Sequence, residues 1–383
     1  MIDFNLDNEQ KILRDGVERY IRENYRFSEY KKIASSEEGF QRDHWNRFAE
    51  LGWLGLCVAE DMGGLARPFL DVAVVMEEFG RGLVREPFVP TTVLCAKMIG
   101  RADHVEVNNK LLKGIAAGKL LTALAHSEDG ARFELASVKQ TTAIQRGSDL
   151  ILNGVKTVVL GGPSADLLIV SAAVGDDTQG RFALYLVDPR SPGVSMQHYP
   201  LIDGSRASDV RLHDVRVAPE AMLIGPDKAF AALDEAIDLA TLATVAEALG
   251  CMEAILELTR EHLATRVQFG QPLGEFQALQ HRMAEMFIEV QETRSILYQG
   301  ITNLDKGDAK RRIAVSAAKA YAGNAGKFVG AQGIQLHGGI GVTEEAQVGH
   351  YYKKLVLFEK LFGDCDYHVN RFADDWPLQD ERG

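Results

Sequence analysis

The chain has 383 residues, enough for two or three domain-sized cores, and 46% of them are hydrophobic and 25% charged. That balance is ordinary for a globular protein and excludes a wholly disordered chain. A net charge of −12 argues against nucleic acid as the default partner, while local basic residues still allow a polyanionic small ligand.

The first residues, Met1 to Asp7, are acidic and polar, unlike a signal peptide or an arginine-rich transit peptide. No apolar run is read as membrane-spanning, so a soluble, cytoplasmic protein is expected. Asp7 is placed to cap a helix carrying Ile12, Leu13, Val17, Tyr20 and Ile21 on one face. A second helix is predicted through Trp45, Phe48 and Leu51, ending near Gly52, and a third from Asp71 to Gly80. Pro87 and Pro90 break the chain before an apolar run from Thr92 to Ile99. From Leu120 to about Val217 the pattern turns to short β runs: 122–125, 150–152, 167–171 and 182–187. Turn signals separate them at Asn153-Gly154, Gly161-Gly162-Pro163, Ser191-Pro192-Gly193 and Asp203-Gly204, which suggests a small barrel or sandwich. Long helices return from Ala229 to about His262, from Glu275 to about Thr302, and from Ala309 to about Val329. The stripe Phe276, Leu279, Met283, Met286, Val290 and Thr293 is that of a helix bundle. Domains are therefore drawn at 1–117 (all-α), 118–226 (β-barrel) and 227–383 (helical bundle). The four cysteines, Cys57, Cys95, Cys251 and Cys365, are far apart and lack zinc spacing; they read as small buried thiols, with no metal expected.

Two motifs carry the chemistry. The first is Arg266-Val267-Gln268-Phe269-Gly270-Gln271-Pro272-Leu273, followed by Phe276-Gln277 and Gln280-His281. The second is Gln335-Leu336-His337-Gly338-Gly339-Ile340-Gly341. An arginine fork matches phosphate oxygens two at a time. Paired glycines admit a ligand close to the backbone and leave N–H groups for anions. Together they point to a large phosphate-bearing cofactor held between helices.

With both motifs and the helical–β–helical order, the chain resembles the acyl-CoA dehydrogenase family over essentially its whole length. Leu51-Gly52-Trp53-Leu54-Gly55-Leu56, Glu60-Asp61-Met62-Gly63-Gly64-Leu65 and Glu77-Glu78-Phe79-Gly80-Arg81 look like further family landmarks. The resemblance implies an α+β acyl-CoA dehydrogenase fold with an N-terminal helical domain, a middle β-barrel and a C-terminal four-helix bundle. It implies a tetramer with FAD bound across a dimer interface, an acyl-CoA substrate and an electron-transferring flavoprotein as partner. In the family reaction a carboxylate removes the C2 proton of the thioester while a hydride leaves C3 for the flavin. Carried over by position, Arg266 and Gln268 meet the FAD pyrophosphate, Phe269 packs near adenosine, and Gln277 is a neighbouring hydrogen-bonding group. Gln335, Leu336, His337, Gly338 and Gly339 form the adenosine-side segment, and Ser127 keeps a hydroxyl for the flavin.

The resemblance also marks departures. The usual glutamate before the last helix falls at Phe362, and the alternative position on the long helix falls at Ala240, followed by Thr241. Neither side chain accepts a proton. The family's Trp-x-Thr flavin wall falls on Val158-Val159-Leu160, and the serine that places the thioester is absent after Ser127. Asp364 and Asp238 are the nearest carboxylates; a helix cap is the competing role for Asp364 and a structural or substrate contact for Asp238. Gly161-Gly162-Pro163-Ser164-Ala165-Asp166 and the tail from Phe362 to Asp366 resemble the small, base-lacking subunit of heterotetrameric acyl-CoA dehydrogenases, such as those acting on pimeloyl-CoA or steroid side chains. The alternatives are a self-sufficient flavin enzyme with a displaced base, oxidase or monooxygenase chemistry on the same fold, and a non-catalytic structural subunit.

Overall fold

Asp7 accepts from the backbone N–H of Gln10 at 2.8 Å, and Gln10 Oε1 accepts from the N–H of Asp7 at 3.1 Å, a capping box that starts the first helix. A computed structural model of the chain describes residues 6–376 apart from 35, 37, 103 and 175–180; residues 1–5, on which the leader expectation rests, lie outside it. In chain order the N-terminal helices are α1 (Asn8–Asn24), α2 (Phe27–Ala34), α3 (Arg42–Glu50), α4 (Phe69–Gly82), α5 (Ala96–Gly100) and α6 (Val105–Ala116). Strands β1 (Thr122–Ala125), β2 (Thr142–Arg146), β3 (Asp149–Leu160), β4 (Leu167–Val174), β5 (Phe182–Val187), β6 (Val194–Pro200), β7 (Arg206–Val217) and β8 (Met222–Ile224) follow. Helix α7 (Pro226–Thr265), the short strands β9 (Val267–Gln268) and β10 (Gln271–Pro272), and helices α8 (Gln277–Thr302), α9 (Asp308–His337), α10 (Gln347–Lys360) and α11 (Cys365–Asp375) complete the chain.

Several local expectations change. Ile12, placed on the buried face of α1, is 73% exposed; Val17 and Ile21 carry the packing. The proline-bounded run is helical throughout: wider π-type turns at Val89–Cys95 lead into α5, because Pro90 falls in a first turn where no amide is missed. Asn153-Gly154 is no turn but lies inside β3, where the register on β7 shifts between Leu152 and Gly154. A Cβ at Gly154 would come within 2.5 Å of Thr141 Cα, so close backbone approach selects the glycine. The actual β2–β3 turn uses Gly147 at φ 64°. Cys57 is exposed and Cys365 half-buried, so only Cys95 and Cys251 are the expected buried thiols. Helix α7 contains an 18-residue window of mean hydropathy 1.6, long enough to span a membrane, but 72% of the window is buried within the protein; it is a core helix.

The sheet corrects the barrel. Its order is β6-β7-β3-β2-β4-β5-β8, with β1 parallel to β4. Among the described residues β6 and β8 form no ladder with one another, so the sheet does not close. Strand β1 occupies Leu167–Val170 along one edge of β4, and β2 takes Ala173–Val174 further along it. Two short parallel partners thus share one edge of β4 in a mixed, open sheet. Leu152, Val170, Tyr185 and Val210 are at the centre of the sheet's core, each no more than 1% exposed.

The chain packs as two compact units: Met1–Lys31, Phe69–Val84 and Thr241–Gly383 in one, Lys32–Pro68 and Arg85–Ala240 in the other. In the first, α9 packs against α8, α10 and α11. There too α4 and α7 meet backbone to backbone: a Cβ on Gly80 would lie 1.9 Å from Glu247 O, and one on Gly250 1.8 Å from Glu77 O. In the second, the sheet and its flanking helices enclose the β core.

Candidate functional site

Helix α7 runs into a hairpin. Arg266 N–H donates to His262 O at 2.9 Å, and Leu273 N–H to Arg266 O at 2.8 Å, closing the β9–β10 turn. The turn is made by Phe269 (φ 55°) and Gly270 (φ 85°), two consecutive left-handed residues. Phe269 is 91% exposed, with its ring edge-on to Phe276, 6.2 Å away and at 88°. A large apolar ring held in an unfavourable backbone conformation and given to solvent is costly twice over.

A cavity of about 600 Å³ opens beside this hairpin, lined by His262, Arg266, Arg282, Gln335, His337 and Gly338, among others. It gathers Arg266, Gln335, Leu336, His337, Gly338 and Gly339 from the two sequence motifs. Gln268, Phe269 and Gln277 lie near it in sequence but do not line it: the Gln268 side chain donates to Val267 O at 2.8 Å, and Gln277 is an exposed first residue of α8. Sequence reading missed His262 and Arg282. The spacing held one clue, since His262 in the last turn of α7 precedes Arg266 by four residues.

The glycines act differently from expectation. Gly338 (φ 65°) terminates α9, and its N–H is spent on Gln335 O and Ile334 O, so it is not free for an anion. A Cβ at Gly338 or Gly339 would meet nothing within 4 Å; the missing side chains leave open space on the cavity side. His262 and His337 stack, 4.6 Å apart at 24°. Burial first, then His337 and Arg266, hold the His262 imidazole below its ordinary pKa.

The turn at Phe362 joins α10 to α11 in the same unit. Phe362 has φ 57° and Gly363 φ 117°. Lys319, 1% exposed on α9, donates to Glu359 O at 3.1 Å and Gly363 O at 2.7 Å. Buried His368 holds Phe362 O at 3.1 Å through Nε2; a carbonyl only accepts, so Nε2 carries the hydrogen and Nδ1 accepts from Ser316 Oγ at 3.3 Å. Burial, reinforced by Lys319 and Arg371, lowers His368 to about 3, and burial lowers Lys319 to about 7 against the pull of Glu359. Asp364 caps α11, accepting from Tyr367 N–H at 3.0 Å, with Lys360 Nζ at 3.5 Å from its other oxygen. Asp238 and Ala240 are both fully buried on α7.

In the sheet unit Ser127 is exposed just after β1, and its carbonyl accepts from Thr157 N–H at 2.9 Å. Val158 sits at a register shift of β3 with φ 52°, strained for a β-branched residue, its N–H shared between Tyr199 Oη and Asp209 Oδ1 at 3.2 Å each. Beneath lies a buried pair the motifs did not reveal: Lys156 Nζ bonds Glu128 Oε1 at 2.8 Å, His126 O at 3.1 Å and Ser171 Oγ at 3.0 Å.

A helical N-terminal part, a middle sheet and a C-terminal helical part with a basic cavity beside an arginine hairpin define a class of flavoprotein oxidoreductases. Family models agree: the acyl-CoA dehydrogenase N-terminal domain matches residues 7–119, the middle domain 123–215 and the C-terminal domain 228–375. The chain belongs to the acyl-CoA dehydrogenase family, whose enzymes are FAD-dependent. It is 29% identical over 366 residues to mitochondrial isovaleryl-CoA dehydrogenase of Pongo abelii, covering 92% of this chain and 85% of that protein. It is similar to a variant of the Tcur3481–Tcur3483 steroid ACAD (TM-score 0.85, 29% identity, 96% of this chain and 97% of that one). The ChsE4–ChsE5 complex of Mycobacterium tuberculosis shares the fold (TM-score 0.88, 24% identity, 98% of both chains).

Proposed function

We propose that this chain is the base-lacking subunit of a heteromeric acyl-CoA dehydrogenase. It holds FAD and completes the interface, while a related chain supplies the glutamate. The observation that carries the reading is Phe362 in the turn before α11, with Ala240 at the alternative position; neither side chain takes a proton. The weaker candidates do not repair this. Asp364 is committed to capping α11 and faces Lys360, so accepting a proton in turnover would weaken both contacts. The likeness to a steroid enzyme whose name joins two chains supports a paired assembly.

The residues present fit a flavin dinucleotide. The cavity has two arginines, two histidines and no lining carboxylate, and two glycines leave it room, which suits a diphosphate. In this reading Arg266 and Arg282 bind phosphate oxygens, Gln335 and the backbone after His337 orient the adenosine half, and Gln268 and Gln277 stand at its edge. Phe269 covers adenosine in the assembled protein, which accounts for its exposure in the single chain. Ser127 offers a hydroxyl toward the flavin ring. Bound FAD supplies the hydride acceptor for C3 of the acyl chain, and an electron-transferring flavoprotein then takes the electrons.

Co-purification tests this. The chain alone should not oxidise acyl-CoA, whereas a yellow complex with a related, glutamate-bearing chain should. Asp364→Asn in that complex should keep turnover within about twofold and lower stability by about 1 kcal/mol through the weakened cap. Family-level turnover by the pure single chain sinks the heteromer reading. Turnover lost with flavin retained in Asp364→Asn makes Asp364 the base.

A further inference from the structure

His262 and His337 form one wall of the cavity, stacked with ring centroids 4.6 Å apart and planes 24° from parallel. His262 comes from the end of α7 and His337 from the last turn of α9. His337 Nδ1 bonds Gly333 O at 2.8 Å. A carbonyl only accepts, so that nitrogen carries the hydrogen and Nε2 of the neutral ring holds the lone pair. The charged and titratable groups lining the cavity around His262 are His337 on α9, Arg266 beyond its own helix and Arg282 on α8, and among the described residues no carboxylate lines the cavity. The cavity wall around His262 thus carries cationic side chains from α8 and from the hairpin after α7. Burial first, then the neighbouring His337 and Arg266, disfavour the protonated form of His262, a cost that an arriving anion would offset. A diphosphate brings that charge together with oxygens that accept from N–H groups.

We infer that the His262–His337 pair is a proton-coupled contact for a dinucleotide diphosphate: as the anion enters, the pair takes up a proton and an imidazole lone pair becomes a donor. This rests on the FAD reading of the cavity and adds to it a contact outside the arginine motif and a pH response. Proton uptake on binding means that affinity rises as pH falls. Linkage caps the slope at about tenfold per pH unit for one proton, and reciprocity requires bound ligand to raise the imidazole pKa.

The test is calorimetric titration of FAD, whose diphosphate does not titrate near neutrality, into the flavin-free complex of this chain with its glutamate-bearing partner at about pH 6 and about pH 8. Buffers of different ionisation enthalpy report the proton. Binding should be about three- to tenfold tighter at the lower pH, with heat that depends on the buffer. His262→Phe keeps a stacked ring without nitrogens and should reduce both the pH dependence and the buffer-dependent heat; His262→Gln serves if the phenyl variant fails to fold. Arg266→Met should weaken binding at both pH values. Equal wild-type affinity at the two pH values, with no buffer-dependent heat, overturns the proton coupling and leaves the cavity reading standing. No FAD binding at either pH overturns both.

Discussion

Lys156 shows how much a single buried charge demands. It is fully buried, yet its ammonium meets a carboxylate, a carbonyl and a hydroxyl. Glu128 in turn accepts from the backbone N–H groups of Lys139, Gln140 and Thr141 at 2.7–2.9 Å. Against burial, Lys156 and these amides hold Glu128 at about 2, while burial lowers Lys156 to about 8. Because the folded carboxyl titrates below its ordinary 4.5, the unfolded chain binds more protons between about 4.5 and about 2. Stability from this group is thus present above that window and lost as pH falls through it. Glu128→Gln should cost about 3–5 kcal/mol near neutrality by leaving the ammonium without its counter-charge, and should flatten the acid limb. Urea midpoints at about pH 7, 5 and 3 check this; an unchanged acid slope removes Glu128 as its source.

At the scale of elements, the crossing of α4 and α7 is set by two glycines. Each places its missing Cβ under 2 Å from a carbonyl of the other helix, so the backbones touch reciprocally. Around the crossing, Arg81 bonds Glu77 and Glu253, and Arg294 from α8 bonds the same two carboxylates. Glu78, buried beside them, is raised to about 7 by burial, against the pull of Arg81. The ion cluster depends on the close approach that the glycines allow. Gly80→Ala or Gly250→Ala must push the helices apart and should destabilise by more than about 3 kcal/mol, far beyond the gain from alanine's helix propensity. A thermal or urea midpoint within error of wild type for either variant contradicts the close crossing.

At the scale of the whole molecule, the chain exposes several large apolar side chains in the hairpin after α7, on α8 and after α9. Phe269 is 91% exposed, Phe287 51%, Ile288 52%, Ile340 55% and Val342 74%. Phe287 and Ile288 lie on α8, and Ile340 and Val342 in the turns that follow α9. In the proposed assembly the related chain would cover these side chains. The double change Phe287→Asp and Ile288→Asp should lower the assembly's mass in analytical ultracentrifugation while leaving far-UV circular dichroism unchanged. A sedimentation coefficient equal to wild type places the interface elsewhere.

The sequence by itself determined the helical–sheet–helical order, the Asp7 cap, strands β1 and β5, and the two motifs that meet in the cavity. These are local signals: capping chemistry, a period of two or 3.6, and glycine beside arginine act over a few residues. It also fixed that Phe362 and Ala240 carry no basic oxygen in any fold, which is what the proposed function rests on. Tertiary structure decided the rest. The open sheet follows from β1 and β2 sharing an edge of β4, a long-range choice with no local trace. Gly154 became a close-packing residue only once Thr141 lay against it. His262 and Arg282 entered the cavity because the ends of three helices meet there, whereas the Asp364 cap of α11 was already readable in the sequence. A short motif records the groups a site uses; burial, neighbouring charge and backbone approach arise only when distant segments pack, and they fix what those groups do.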